Sequence, residues 1–249
     1  RIWGYESAAL DLALQQAGEP LHARLGLTPA PLRFVCSLRL GEPPAILAPL
    51  EQRLSLYPDL QFKLDPTPAW DEATLQEVAD SGAAVVLDFK GLYEGTEVDT
   101  PDDPAFYERV LAAVPGTWIE DPKLTPEIDA VLAESRARIT WDANINSVAD
   151  IDALPFQPTM VNIKPSRFGP LSELFGAYDT CNERGIAMYG GGQFELGVGR
   201  GQIQYLASCF HPEGPNDVAP TGYNEPKVAA GLPPSPLPVA TSTIGFQWQ

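Results

Sequence analysis

The chain is predicted to be α/β, a parallel β/α barrel of the TIM type, and three observations carry that prediction. First, apolar runs that end in a charged side chain recur: "TWIEDP" ends in Glu120, "ARITWDAN" in Asp142 and "MVNIKPS" in Lys164. Second, their spacing is constant, 22 residues from 120 to 142 and 22 from 142 to 164. Third, the intervening "KLTPEIDAVLAESR" and "INSVADIDAL" read as short helices. A strand–helix repeat of this length builds a parallel barrel, in which side chains at the C-terminal strand ends converge on one mouth.

Residues 3–17 open the chain with helical periodicity, Ala9, Leu10, Ala13, Leu14 and Ala17 falling on one face. "LRFVCSLRL" (32–40) reads as the first strand, and "PPAILAPLEQRLSLYP" as a helix begun by proline. "LQFKLD" is the second strand and carries Lys63; "AWDEATLQEVADSG" is a helix stopped by Gly82. "AAVVLDFK" is the third strand, ending at Asp88, and "PAFYERVLAAVPG" is its helix. After the three repeats described above, residues 170–185 read as a helix, 186–192 as the seventh strand and 197–210 as a helix entered through glycines. Residues 216–223 are expected to be an eighth strand, completing a (β/α)7β barrel over residues 1–225. The Pro-rich tail, 226–249, is expected to pack back on the barrel or on a neighbouring domain.

Composition narrows the function. With 249 residues the chain can bury one barrel-sized core. A net charge of −17 argues against nucleic acid and anionic membranes as partners. No apolar run approaches the roughly 20 residues of a membrane span, and the first residues do not read as a secretory leader. Three cysteines without metal-ligand spacing suit a reducing cytoplasm, as small buried hydrophobes. The two histidines, His22 and His211, follow helices and make poor general bases, and no G-x-S-x-G nucleophile motif is present.

In strand order the charged residues are Lys63, Asp88, Glu120, Asp142 and Lys164. Three hard oxygen donors flanked by two lysines suit Mg²⁺ and proton transfer. With the strings "WIEDP", "VNIKPSRFG" and "GGGQFELGVGR", this order resembles the enolase superfamily, in particular the barrel domain of its muconate-lactonizing-enzyme-like branch. Within that branch the resemblance is greatest to o-succinylbenzoate synthases and N-succinylamino-acid racemases. It implies Mg²⁺ held by Asp88, Glu120 and Asp142, with Lys63 and Lys164 as an acid/base pair facing each other across the mouth. A lyase or isomerase acting on a small carboxylate follows, by elimination or racemisation, with self-assembly left open.

Four features depart from that pattern. The K-x-K strand reads Gln61-Phe62-Lys63, D-x-N reads Asp88-Phe89-Lys90, which adds a cation beside the metal, and D-E reads Asp142-Ala143. The family's N-terminal capping domain has no counterpart in these residues, and a start at a helix without methionine suits a piece of a longer protein. These departures keep open a non-catalytic barrel that retains the fold. Other residues have two readings each. Gly191 and Gly192 could cradle a substrate carboxylate or form a tight turn. Glu195 could meet substrate or cap a helix, and Arg167 could pair with a substrate carboxylate or with a loop acid.

Overall fold

The computed structural model describes residues 1–41, 46–239 and 244–247. Its centre is a seven-stranded, wholly parallel sheet in the order β1 to β7: Cys36–Leu38, Phe62–Leu64, Ala84–Asp88, Trp118–Glu120, Ile139–Trp141, Met160–Ile163 and Ala187–Gly190. Consecutive strands are neighbours throughout, which requires a crossover after each one. α1 (Ile2–Ala17) and α2 (Leu21–Leu25) precede the sheet, and α3 (Ala48–Leu56), α4 (Glu72–Ser81), α5 (Pro104–Ala113), α6 (Pro126–Leu132) and α7 (Val148–Asp152) make the first five crossovers. α8 (Pro165–Phe168) and α9 (Leu171–Arg184) share the sixth, and α10 (Val198–Phe210) follows β7. Among the described residues no helix is long and apolar enough to cross a membrane.

Local chemistry explains these elements. Helices cover one face of the sheet and its own side chains fill the other. All residues of β2, β5 and β6 are therefore buried, the polar Lys63, Thr140 and Asn162 included. Asp71 caps α4 through the Thr74 N–H at 2.8 Å, and Thr125 caps α6 with proline in its first turn. Gly185, at φ 66°, ends α9 in the left-handed conformation and turns the chain into β7. The helix expected over 43–58 is seen as Ala48–Leu56; its expected proline start falls outside the described residues.

The expected strand over 216–223 is not present as a strand. Asn216 and Asp217 make one parallel bridge each, to Phe34 ahead of β1 and to Gly191 beyond β7, and Thr221–Asn224 is a 3₁₀ turn. The first strand is likewise shorter than 32–40, because Leu32 pairs with Leu237 of the tail instead. The tail also exchanges backbone bonds with Glu19 and Leu21 through Gly245, and places Phe246 against Trp3 and Tyr205.

Side chains replace the missing ladder between the sheet's two edges. The Asn216 Oδ1 accepts the Gly190 N–H at 2.6 Å and faces His211 Nδ1 at 2.7 Å. Its Nδ2 donates to the carbonyls of Arg33, His211 and Gly214 at 2.9–3.0 Å. Since Asn216 Oδ1 can only accept, His211 carries its proton on Nδ1. Burial pushes the His211 pKa down to about 4. Its neutral form therefore stabilises the fold fully above the unfolded pKa of about 6.5, and that stability is lost as pH falls through about 4. Urea denaturation of wild type and His211→Gln at pH 7 and pH 5 should show wild type losing up to about 1.4 kcal/mol more per pH unit. Equal pH slopes would show that His211 is not buried neutral. Asn216→Ala should cost about 2–4 kcal/mol at pH 7 in the same measurement, since it orphans several buried backbone groups.

Candidate active site

The C-terminal strand ends bring five charged residues of neighbouring strands together. Asp88 and Glu120 end β3 and β4 in register, Asp142 and Lys164 follow β5 and β6 by one residue, and Lys63 is the middle residue of β2. All five are buried. Contacts across the sheet show its curl. Tyr189 of β7 donates to Glu120 Oε2 of β4 at 2.6 Å, and Lys63 lies 3.9 Å from Asp217, beyond β7.

Lys63 points inward, its ammonium seated on Glu120 Oε1 and 3.0 Å from Asp88 Oδ2. Lys90 occupies the other side of Asp88 and lies 3.6 Å from Asp65, so the extra cation expected from Asp88-Phe89-Lys90 does meet the cluster. A second group forms beside this one. Lys164 Nζ is 2.7 Å from Asp142 Oδ2, and Arg167 Nη1 is 2.9 Å from Asp142 Oδ1 and also donates to the Asp142 carbonyl. Lys63 and Lys164 are thus both inward at one end of the sheet, each on a carboxylate.

Among the described residues, the carboxylates grouped closely enough to hold a metal are Asp88, Glu120 and Asp121, with ligand atoms within 4.8 Å of one another. That spacing, with hard oxygen donors throughout, fits a cation such as Mg²⁺, whose trans ligands stand about 4 Å apart. Asp121 directly follows Glu120 in "WIEDP" and has no spacing signal of its own in the sequence. Its two oxygens accept the N–H groups of Asp142 and Ala143, both at 2.8 Å, so it also fixes the end of β5 and the aim of Asp142. Asp121 (φ 46°) and Lys90 (φ 54°) both hold the left-handed conformation that non-glycine residues rarely adopt.

Electrostatics follow from crowding. Burial alone would lower the Lys63 pKa, but attraction to Asp88 and Glu120 more than offsets it and holds Lys63 well above its usual value. Burial likewise opposes the charge on Asp88, yet Lys63 and Lys90 keep it well below the carboxylate range. Full burial, with Asp88, Asp142 and Asp121 nearby, pushes Glu120 up against the pull of Lys63. The same causes, with Asp142 and Asp88 as neighbours, raise Asp121 to about 7. Around the cluster six carboxylates (Asp65, Asp88, Glu120, Asp121, Asp142, Asp217) face four cations (Lys63, Lys90, Lys164, Arg167).

Of the remaining sequence candidates, Gly191, Gly192 and Glu195 follow β7, and Arg167 lies in α8 after β6. Glu195 Oε1 accepts from Ser166 Oγ at 2.8 Å, and its other oxygen takes the Gln193 N–H. A Cβ on Gly192 would meet Glu195 Oε2 at 2.6 Å, and one on Gly191 would meet Lys164 Cε at 2.6 Å. At both positions the absence of a Cβ lets these side chains approach the backbone closely. Arg167 is committed to Asp142. Besides Asp121, the sequence reading passed over Tyr189 and Asp217; their two-residue spacing from Gly191 and early place after α10 are weak signals.

The chain resembles known proteins over most of its length. The o-succinylbenzoate synthase of Geobacillus stearothermophilus is 24% identical over 230 residues, covering 88% of this chain and 58% of that protein. The crystal structure of an enolase-superfamily member from Listeria innocua matches with TM-score 0.66 at 21% identity, over 84% of this chain and 57% of the other. The dipeptide epimerase of Methylococcus capsulatus, solved with a Mg ion, matches with TM-score 0.63 at 21% identity, over 82% and 60% of the two chains. The chain thus spans a little under three-fifths of the curated synthase it matches. The expected resemblance to the enolase superfamily is borne out. Residues 28–225 match the model described as Domain of unknown function (DUF8230) C-terminal domain, and the chain belongs to that family, with the fold of the enolase superfamily.

Proposed function

We propose that this chain is the barrel part of a Mg²⁺-dependent enzyme that abstracts a proton next to a carboxylate. The observation that carries the reading is the convergence of Asp88, Glu120, Asp121, Asp142, Lys63 and Lys164 in one buried cluster at the C-terminal strand ends. Its architecture is read as a closed (β/α)7β barrel in which residues 216–217 stand for the eighth strand. Its setting is read as cytoplasmic, which three free cysteines support.

Asp88 and Glu120 are the ligands common to the sequence reading and the close carboxylate group, with Asp142 as the third and Asp121 holding it in place. Bound there, the cation would stabilise negative charge developing on a substrate carboxylate. Lys63 and Lys164 are the acid/base pair. Each now sits on a carboxylate that the cation would share, so metal binding and release of the lysines are coupled in this reading. One lysine acting alone gives elimination; both acting in turn give racemisation. Arg167 and the Gly191–Gly192 turn would border the substrate.

A second reading is favoured by one feature. Lys63 and Lys90 both sit on Asp88, and Lys63 also on Glu120, filling the seat that a metal would take. A lysine-filled, non-catalytic barrel would look like this.

Calorimetry separates the two. Mg²⁺ titrated into wild type should bind, and Glu120→Gln should weaken binding at least tenfold; absence of heat with wild type would favour the lysine-filled barrel. Activity is tested by exchange in deuterium oxide. An N-succinylamino acid with saturating Mg²⁺ should exchange its α-hydrogen, followed by proton NMR for each enantiomer. Lys164→Ala should abolish exchange of one enantiomer and Lys63→Ala that of the other, each by about 10²-fold or more. Exchange that survives both substitutions would remove these lysines from the chemistry.

A further inference from the structure

Asn162 lies on β6 two residues before Lys164, on the same inward face. It is paired in register with Tyr189, the donor to Glu120. Its side chain is fully buried, and neither Oδ1 nor Nδ2 has a hydrogen-bond partner among the described residues. A buried amide left unpaired in both halves is a cost that a purely structural position would shed by becoming leucine. The close packing around Gly191 locates what the amide faces. A Cβ there would lie 2.6 Å from Lys164 Cε and 3.0 Å from both Asn162 Oδ1 and Asn162 Nδ2. The Lys164 stem and the Asn162 amide therefore both pack against the Gly191 backbone, side by side.

We propose that Asn162 is a positioning residue, a second seat for the Lys164 ammonium. In the first seat Nζ lies 2.7 Å from Asp142 Oδ2. Rotation about the terminal bonds of the stem carries Nζ toward Asn162 Oδ1, since Cε and the amide already lie against the same glycine and an ammonium has three donors to share. Asp142 is not stranded by the move, because Arg167 Nη1 remains 2.9 Å from its Oδ1. Lys164 thus exchanges an anionic acceptor for a neutral one while staying beside Gly191. Anything that engages Asp142, a divalent cation included, shifts Lys164 to the second seat.

The Asp142→Asn crystal structure tests the seat without any metal or substrate. Lys164 Nζ should stand about 2.8–3.2 Å from Asn162 Oδ1. An ordered water filling the Asn162 amide, with Lys164 elsewhere, would overturn the proposal. Asn162→Leu provides a measurement on a chain with its charges intact. Because Asn162 makes no bond in the first-seat state, thermal melting should be unchanged or raised; a drop of more than about 4 °C would mean a resting bond and count against it. A third arm rests on the acid/base role proposed above for Lys164. Asn162→Leu should slow exchange of the Lys164-dependent enantiomer at least tenfold at saturating substrate with KM unchanged, whereas a rise in KM at constant rate would contradict a positioning role. If wild type exchanges nothing, the enzyme reading fails while the crystal structure and the melting curve still decide the seat.

Discussion

Like charges held together away from water are the constraint on which the functional end of this molecule depends. Asp88, Glu120, Asp121 and Asp142 are each buried, and isolated carboxylates in such surroundings would take up protons. The parallel sheet is responsible for the crowding, since it delivers the C-terminal end of every strand to the same place. Lys63, Lys90, Lys164 and Arg167 make it tolerable, each from a different strand end or turn. Asp88 and Asp142 each hold two cations, Lys63 with Lys90 and Lys164 with Arg167, so the charges are shared across the cluster and not paired one to one.

The backbone around the cluster is bent to serve it. Lys90 and Asp121 hold left-handed conformations directly after β3 and β4, turning one side chain onto Asp88 and the other onto the end of β5. Gly91 follows, where any Cβ would run into the backbone of Lys123 at 2.2 Å, so the two turns pack without a gap. Apolar packing elsewhere carries the cost of this strain. One continuous core runs from Trp3 and Phe246 through the strands to Val218.

Away from the charged cluster the sheet is joined by a neutral device. Asn216 links the end of β7 to the segment before β1, and His211 beside it is kept uncharged by burial. Carboxylates and lysines gather where the strands end, while the linkage between the sheet's edges uses an amide and an imidazole. That division separates the chemistry from the part that holds the sheet in its curl.

The sequence by itself determined the repeat, the order of charged residues along it and the inward placement of Lys63, Asp88, Glu120, Asp142 and Lys164. These follow from strand periodicity and equal spacing, which are local properties of the chain. It also marked Lys90 as a cation near the site. Tertiary structure alone decided which oxygen meets which cation. Lys63 sits on Glu120 across an intervening strand, Asp121 joins Asp88 and Glu120, and Asp142 turns to Lys164 and Arg167. The eighth strand expected over 216–223 did not form as a ladder for the same reason. Whether 216–223 pairs as a ladder depends on partners far away in sequence, and here Leu237 and the Asn216 side chain take the bonds that a ladder would use. Such choices are made by rotamers and distances of a few ångströms in the folded chain, where burial multiplies the energy of every charge, and no local pattern records them.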